Sequence, residues 1–299
     1  MTKPFEYKPK DADSIVIRKL SFEFPDDLDP NWIPDQHVRS HLFNGLSLTM
    51  PYLEPYLIES TQKASKHIDN KELLDDMRGF NGQEARHYQC HRRLNELLKA
   101  NGYPELAEVE AGMKQSYQRL SERSLTTQLA YNAGFECMTN GFTHWLITKR
   151  YRLFKDSTPE IASFWLMHMV EETEHKTVAF DTYMAYSGKY LPRAFGVFHG
   201  TLHLLGWGVV GMLTCLRKDK VAHRPGVWLD IVRELGAFVV NVGPFILRAL
   251  KPGYDPRQED DPEWYEDWIA GHAQLSPDSA LPLLDTTNPS MPVPFEHPA

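Results

Sequence analysis

The spacing of apolar positions along this chain changes period once. Residues 14–24, SIVIRKLSFEF, alternate apolar and polar with β-branched residues, which predicts a short strand or extended arm. PDDLDPNWIPD after it reads as loop. From Gln36 the apolar positions recur every three or four residues, the period of an amphipathic helix, for most of the remaining chain. The pattern predicts helix A near 37–68, helix B near 70–100, a connecting helix near 103–122, helix C near 125–153 and helix D near 158–187. Two further helices follow near 191–217 and 226–250. NGYPE separates B from the connector, and KDSTPE ends C and starts D with a Ser or Thr cap and a proline at the first helical position. The last 49 residues hold nine prolines and little periodicity, so they read as a tail that wraps the surface or is partly disordered. The expected division is an N-terminal extended arm, 1–35, a helical domain, 36–250, and a Pro-rich tail, 251–299.

One predicted helix changes this picture. Residues 194–216 run 23 positions without a formal charge, flanked by Arg193 and by Arg217, Lys218 and Lys220. That length can span a bilayer. Five glycines, His199, Thr201, His203 and the lack of a second such span favour a helix that covers the bundle. Peripheral attachment to a membrane and a greasy lid over an apolar substrate stay open. The chain is 42% hydrophobic and 12% aromatic, ample for a core, and its net charge of −8 gives no basic footprint for nucleic acid. Three cysteines without paired spacing fit a reducing cytosol. The N-terminal MTKPFEYKPKDADS has no apolar core of a signal peptide, so the expected location is cytoplasmic.

The densest chemistry lies in helix D, at MHMVEETEHKTVAFD, 167–181. His168, Glu172 and His175 fall within a wedge of roughly 60° on a helix, while Glu171 and Glu174 leave that wedge and read as lying outside the site. Helix B carries GQEARHYQCH, with Glu84, His87 and His91 at i, i+3 and i+7. Each Glu-x-x-His pair brings a carboxylate and a neutral imidazole to one ion. Ferritin-like di-metal bundles need two such helices and two others that give one Glu each, all pointing inward. Helix A offers Glu54 or Glu59, with Pro51 and Pro55 flanking Glu54. Helix C offers Glu136 as its only glutamate, among small and apolar residues where an unpaired carboxylate would be costly. His91 is a further ligand or a residue behind the ligands. The expected fold is therefore all-α: a ferritin-like four-helix bundle with a di-metal carboxylate centre, extra C-terminal helices and a short N-terminal arm.

LSLTMPYLE, GQEARHYQCH and HMVEETEHKTVAFD, with the Trp32 region and KPGYDPRQEDDPEWYEDW, resemble the bacterial family labelled predicted metal-dependent hydrolases over most of residues 15–270. The resemblance makes Glu54 the matching helix A carboxylate. Leu53 departs from the glycine often found before it, and Asp255 stands where many relatives carry histidine, so it is assigned no ligand role. The helix D pattern His-x-x-x-Glu-x-x-His is also similar to that of the di-iron arylamine N-oxygenases, which implies His168 as an extra ligand.

The implied metal-binding and catalytic set is Glu54, Glu84, His87, Glu136, His168, Glu172 and His175. A carboxylate and imidazole set without thiolates suits two iron ions, with manganese or a mixed pair as the alternative. The implied activity is dioxygen-dependent oxidation of an organic, apolar or amphipathic small molecule, with electrons from a donor protein or reductant. Thr139 and Asn140, one turn past Glu136, line the oxygen side or are polar core residues. Two rival readings are hydrolysis by a metal-activated water and a non-catalytic iron-binding bundle. Whether the chain forms a homodimer is left open.

Overall fold

Asn70 and Ser124 each open a long helix by accepting a backbone N–H, from Leu73 and Thr127 respectively. In the computed structural model the chain forms ten α-helices and no strand among the described residues, which are 5–10, 15–276 and 279–295. Helix A is α1 (His37–Ser65), B is α2 (Lys71–Ala100) and the connector is α3 (Leu106–Ser121). Helix C divides into α4 (Leu125–Thr148) and a short α5 (Arg150–Phe154), and D into α6 (Pro159–Glu174) and α7 (Val178–Tyr186). Beyond them come α8 (Tyr190–Lys218), α9 (Pro225–Ala249) and α10 (Glu263–His272).

Helix D was expected unbroken, and no Gly or Pro marks its turn at His175–Thr177. The turn is held from outside: buried Lys176 donates to the Glu259 carbonyl and to Asp261 Oδ1, both at 2.6 Å. Helix α1, in contrast, continues unbroken through Pro51 and Pro55. Pro51 has no N–H for the Ser47 carbonyl four residues back, and Asn95 Nδ2 of α2 supplies that donor at 3.0 Å. Residues 15–24 are extended without pairing to a strand, and position 14 lies outside the described residues. Ile15 and Ile17 rest on Gly79 and Gly82 of α2 while Arg18 is buried. The tail wraps the bundle: Leu284 and Met291 are buried, and the Leu284 N–H donates to Ser163 Oγ of α6.

Helices α1, α2, α4 and α6–α7 form the core around one aromatic cluster, where Trp32 stacks on Phe154 and Phe43 meets Trp165 edge-on. Helices α8 and α9 pack on α1 and α4 as an outer layer. Glycines make that approach close. A Cβ on Gly196 would lie 1.8 Å from the Ala130 carbonyl oxygen of α4, and one on Gly45 of α1 would lie 2.1 Å from the Gly208 carbonyl oxygen. Gly206 faces open space.

The contrast is testable by denaturant unfolding. Gly196→Ala should lower stability by about 1–3 kcal/mol through overpacking. Gly206→Ala should raise it by about 0.4–1 kcal/mol by restricting the unfolded chain. Equal shifts for the two variants would show that α8 does not depend on backbone contact with α4.

Candidate metal centre

Each of the four core helices turns one carboxylate toward a common point. Glu54 comes from α1, Glu84 from α2, Glu136 from α4 and Glu172 from α6. His87 stands one turn after Glu84, and His168 and His175 flank Glu172. None of these seven residues is more than 3% exposed. Donor atoms of Glu54, Glu84 and His87 lie within 4.8 Å of one another, as do those of Glu84, Glu136, Glu172 and His175. Glu84 belongs to both groups, Glu172 forms a further one with His87 and His168, and His91 forms another with Glu54 and His168. Glu59, the other helix A candidate, is exposed and pairs with Lys63 at 2.7 Å.

His168 lies toward the Glu54 end. Its Nε2 is 3.0 Å from Glu172 Oε1 and 3.8 Å from Glu54 Oε1, and its ring centroid is 3.9 Å from that of His87. Asn140 turns to Tyr254, whereas Thr139 Oγ1 donates to Glu136 Oε2 at 3.2 Å.

A second set of residues decides which nitrogen of each histidine faces the cluster. His87 Nε2 donates to Glu171 Oε2 at 2.7 Å, leaving Nδ1 bare and 3.9 Å from Glu84 Oε2. His175 Nδ1 donates to Gln83 Oε1 at 2.7 Å, leaving Nε2 bare, 3.3 Å from Glu84 Oε1 and 3.5 Å from Glu172 Oε2. His168 is set through a relay. Asn95 Nδ2 is committed to the Ser47 carbonyl, so its Oδ1 takes the Ser47 hydroxyl proton at 2.7 Å. Ser47 Oγ then accepts from His91 Nδ1 at 2.9 Å, and bare His91 Nε2 accepts from His168 Nδ1 at 3.0 Å. In that tautomer His168 Nε2 carries the lone pair that a cation would take, 3.0 Å from Glu172 Oε1. His91 stands behind the ligands.

Glu171 and Glu174 correct the sequence reading. They leave the ligand wedge as expected, but not for solvent. Glu171 is fully buried and holds His87, while Arg18 from the N-terminal arm pairs with Glu171 at 3.0 Å and with Glu174 at 2.7 Å. Gln83 Nε2 donates to the Val16 carbonyl and to Glu174. Nothing in SIVIRKL distinguishes this arginine from a surface one.

Burial and Glu84 push the Glu54 carboxyl well above the ordinary 4.5, and burial and Glu172 do the same to Glu136. Burial would lower the His87 imidazole, but Glu171 and Glu84 raise it well above 6.5; His175 is likewise raised, chiefly by Glu172, against burial. Burial and His87 lower His168 to about 4. Of fifteen buried side-chain polar atoms without a hydrogen-bond partner among the described residues, eight belong to this cluster. They include both oxygens of Glu54 and of Glu84, with His87 Nδ1 and His175 Nε2. Orphaned acceptors gathered in one dry core fit cations. Once deprotonated, the four glutamates would carry four negative charges, which two divalent ions would balance.

Two outcomes follow. The raised groups hold protons that a cation must displace, so adding manganous ions to metal-free protein in weak buffer should release protons, and affinity should fall as pH drops from above 6.5. Groups with raised folded pKa stabilise the metal-free fold below their ordinary values and lose that contribution as pH rises through the raised ones. Metal should therefore raise the melting temperature more at alkaline than at acid pH, and a pH-independent increment would contradict the assignment. Separately, Glu171→Ala should weaken metal binding roughly 10–100-fold in chelator competition, with Glu171→Gln keeping most affinity and Glu174→Ala losing little. Wild-type affinity in Glu171→Ala would remove its orienting role.

The comparisons with known proteins bear on this cluster. Residues 16–260 match the family described as predicted metal-dependent hydrolase, a stretch that contains all seven candidate ligands as well as Arg18 and Gln83. No curated protein and no solved structure matches the chain. On that extent of match, with a buried carboxylate and histidine cluster built for metal, the chain belongs to the predicted metal-dependent hydrolase family.

Proposed function

We propose that the chain is a dinuclear-metal enzyme that uses dioxygen to oxidise an apolar or amphipathic small molecule. Glu54, Glu84, His87, Glu136, His168, Glu172 and His175 would hold two iron ions, with manganese or a mixed pair as the alternative. The observation that carries this reading is the set of four carboxylates and three imidazoles in one dry helical core, with His87 Nδ1 and His175 Nε2 unpartnered and no cysteine in any candidate ligand group. When bound, two such ions supply either electrons for the reduction of dioxygen or Lewis acidity toward a water and a carbonyl or phosphoryl group.

The chain's own residues exclude water and fix geometry. Phe80 meets the His175 ring edge-on, and Phe164 and Trp165 stack near His168, so the cluster has apolar walls on two sides. Thr139 steadies Glu136, and the Arg18 pairs with Glu171 and Glu174 close the arm over α6. Beyond that closure a cleft of about 780 Å³ opens between the arm and α10, lined in part by Val16, Glu174, Thr177, Val178 and Ile269. None of the seven candidate ligands lines this cleft, but Thr177 and Val178 stand two and three residues after His175, which supports it as the place where a substrate would approach the cluster. An external reductant or donor protein would supply the electrons.

The family's description favours a second reading, hydrolysis through the same ligands. Burial favours the first, because ligands no more than 3% exposed admit a diatomic gas more readily than an ester or phosphate. Anaerobic ferrous loading followed by air, with an oxygen electrode and an absorption spectrum, separates the two. Oxygen uptake in proportion to bound iron is expected, slowed at least about tenfold in His168→Ala while most of the metal stays bound. Turnover of an ester or phosphate panel without oxygen, in protein whose iron is inert to air, would replace oxidation by hydrolysis. Iron uptake with neither activity would leave a storage or structural bundle.

A further inference from the structure

Twelve of the fifteen exposed large hydrophobic side chains among the described residues lie on α8 and α9. Leu191, Phe195 and Leu202 mark one outward stripe on α8, and Val232, Val239 and Leu247 mark another on α9, at 65–75% exposure. The two helices form one antiparallel layer. The turn at 219–224 joins one pair of ends, and Tyr190 and Arg193 donate to the carbonyls of Leu250, Ala249 and Lys251 at the other. Both helices lie against α1 and α4 on their inner side. Two adjacent apolar stripes are far more than a soluble surface needs.

Unpaired charge around these stripes is positive. Residues 189–251 contain nine Lys and Arg against three Asp and Glu, a net +6 in a chain of net −8, with Arg193 buried and Lys218 and Arg248 paired to Glu105 and Glu259 outside the span. All three acids are occupied: Asp219 by His41 and Tyr103, Asp230 by Arg233, and Glu234 by Arg39. Arg217, Lys220 and Arg224 have no side-chain ion pair among the described residues and cluster at the α8–α9 turn, with Lys189 and Lys251 at the opposite end. Trp228 and Tyr190, both exposed, stand at those same two ends.

We propose that the outer face of α8 and α9 docks flat on an anionic lipid surface, with the apolar stripes entering the headgroup region and the cations at both ends meeting lipid phosphates and carboxylates. α8 has the length and composition to cross a bilayer, but its glycine face is committed to α1 and α4, so the layer lies on the membrane and does not pass through it. A second copy of the chain is the poorer occupant. Two-fold self-association would set one strongly basic surface against itself. The proposal is independent of which reaction the metals perform.

Flotation of the full-length protein with vesicles tests it. Phosphatidylcholine vesicles containing one-third phosphatidylserine should carry the protein, pure phosphatidylcholine much less, and high salt should weaken the association. Two variants on exposed positions leave the fold alone: Leu202→Glu with Val239→Glu, and Arg217→Glu with Lys220→Glu and Arg224→Glu. Each should reduce partitioning at least about tenfold. Lipid should also shift tryptophan emission to the blue, and Trp228→Phe should remove most of that shift. Absence of flotation, equal flotation on uncharged vesicles, or wild-type flotation by either variant overturns the proposal. A lipid-free dimer that the Leu202→Glu, Val239→Glu variant disperses, in protein that does not float, gives the face to a second copy.

Discussion

Four carboxylates facing one another at the centre of a helical bundle repel strongly, and this repulsion organises the rest of the molecule. In a dry core it is met only by protons or by cations. The metal-free protein answers it with protons, in the direction shown by Glu54 and Glu136, which are pushed up, and by His87 and His175, which their carboxylate neighbours raise against burial. Cations remove the need for both. Around that balance lies a shell of polar residues that orient imidazoles: Glu171 for His87, Gln83 for His175 and His91 for His168. Arg18 ties two of these three relays together from outside the bundle.

What the sequence showed was what is local. The three-and-four spacing located α1, α2, α3, α8 and α9 to within a few residues, because an amphipathic helix writes its period into neighbouring positions. The wedge on helix D likewise separated Glu172 from Glu171 by angle alone. Exposure was the part that angle could not supply: α6 is buried on every side, so leaving the ligand face meant entering another buried contact. The break after Glu174 was hidden for a related reason, since ETEHKTVAF keeps the helical period and the turn depends on Glu259 and Asp261 far along the chain. Glu54 could not be separated from Glu59 by helix rules, because the donor that compensates Pro51 comes from α2.

The apolar run at 194–216 shows how one composition serves two faces. Its glycines form the side that meets α1 and α4 backbone to backbone, and its large side chains form the side that does not. A hydropathy sum merges these and reads a span; positions read three and four apart keep them separate. Chemistry sits in the inner layer and apolar surface in the outer, with α1 and α4 shared between them.

Pro51 has an influence that reaches beyond its own turn of α1. By withholding one N–H it frees the Ser47 carbonyl, the carbonyl fixes which way the Asn95 amide lies, and the amide sets the direction of every proton out to His168. Helix propensity and ligand orientation are therefore opposed at this position. A residue that improved α1 as a helix would restore a competing donor, release the amide to turn over, and allow the imidazole to present its protonated nitrogen to the carboxylates. The weakest helix former in α1 acts as the first setting in a line of hydrogen bonds, and the polarity of a buried nitrogen two helices away is its readout.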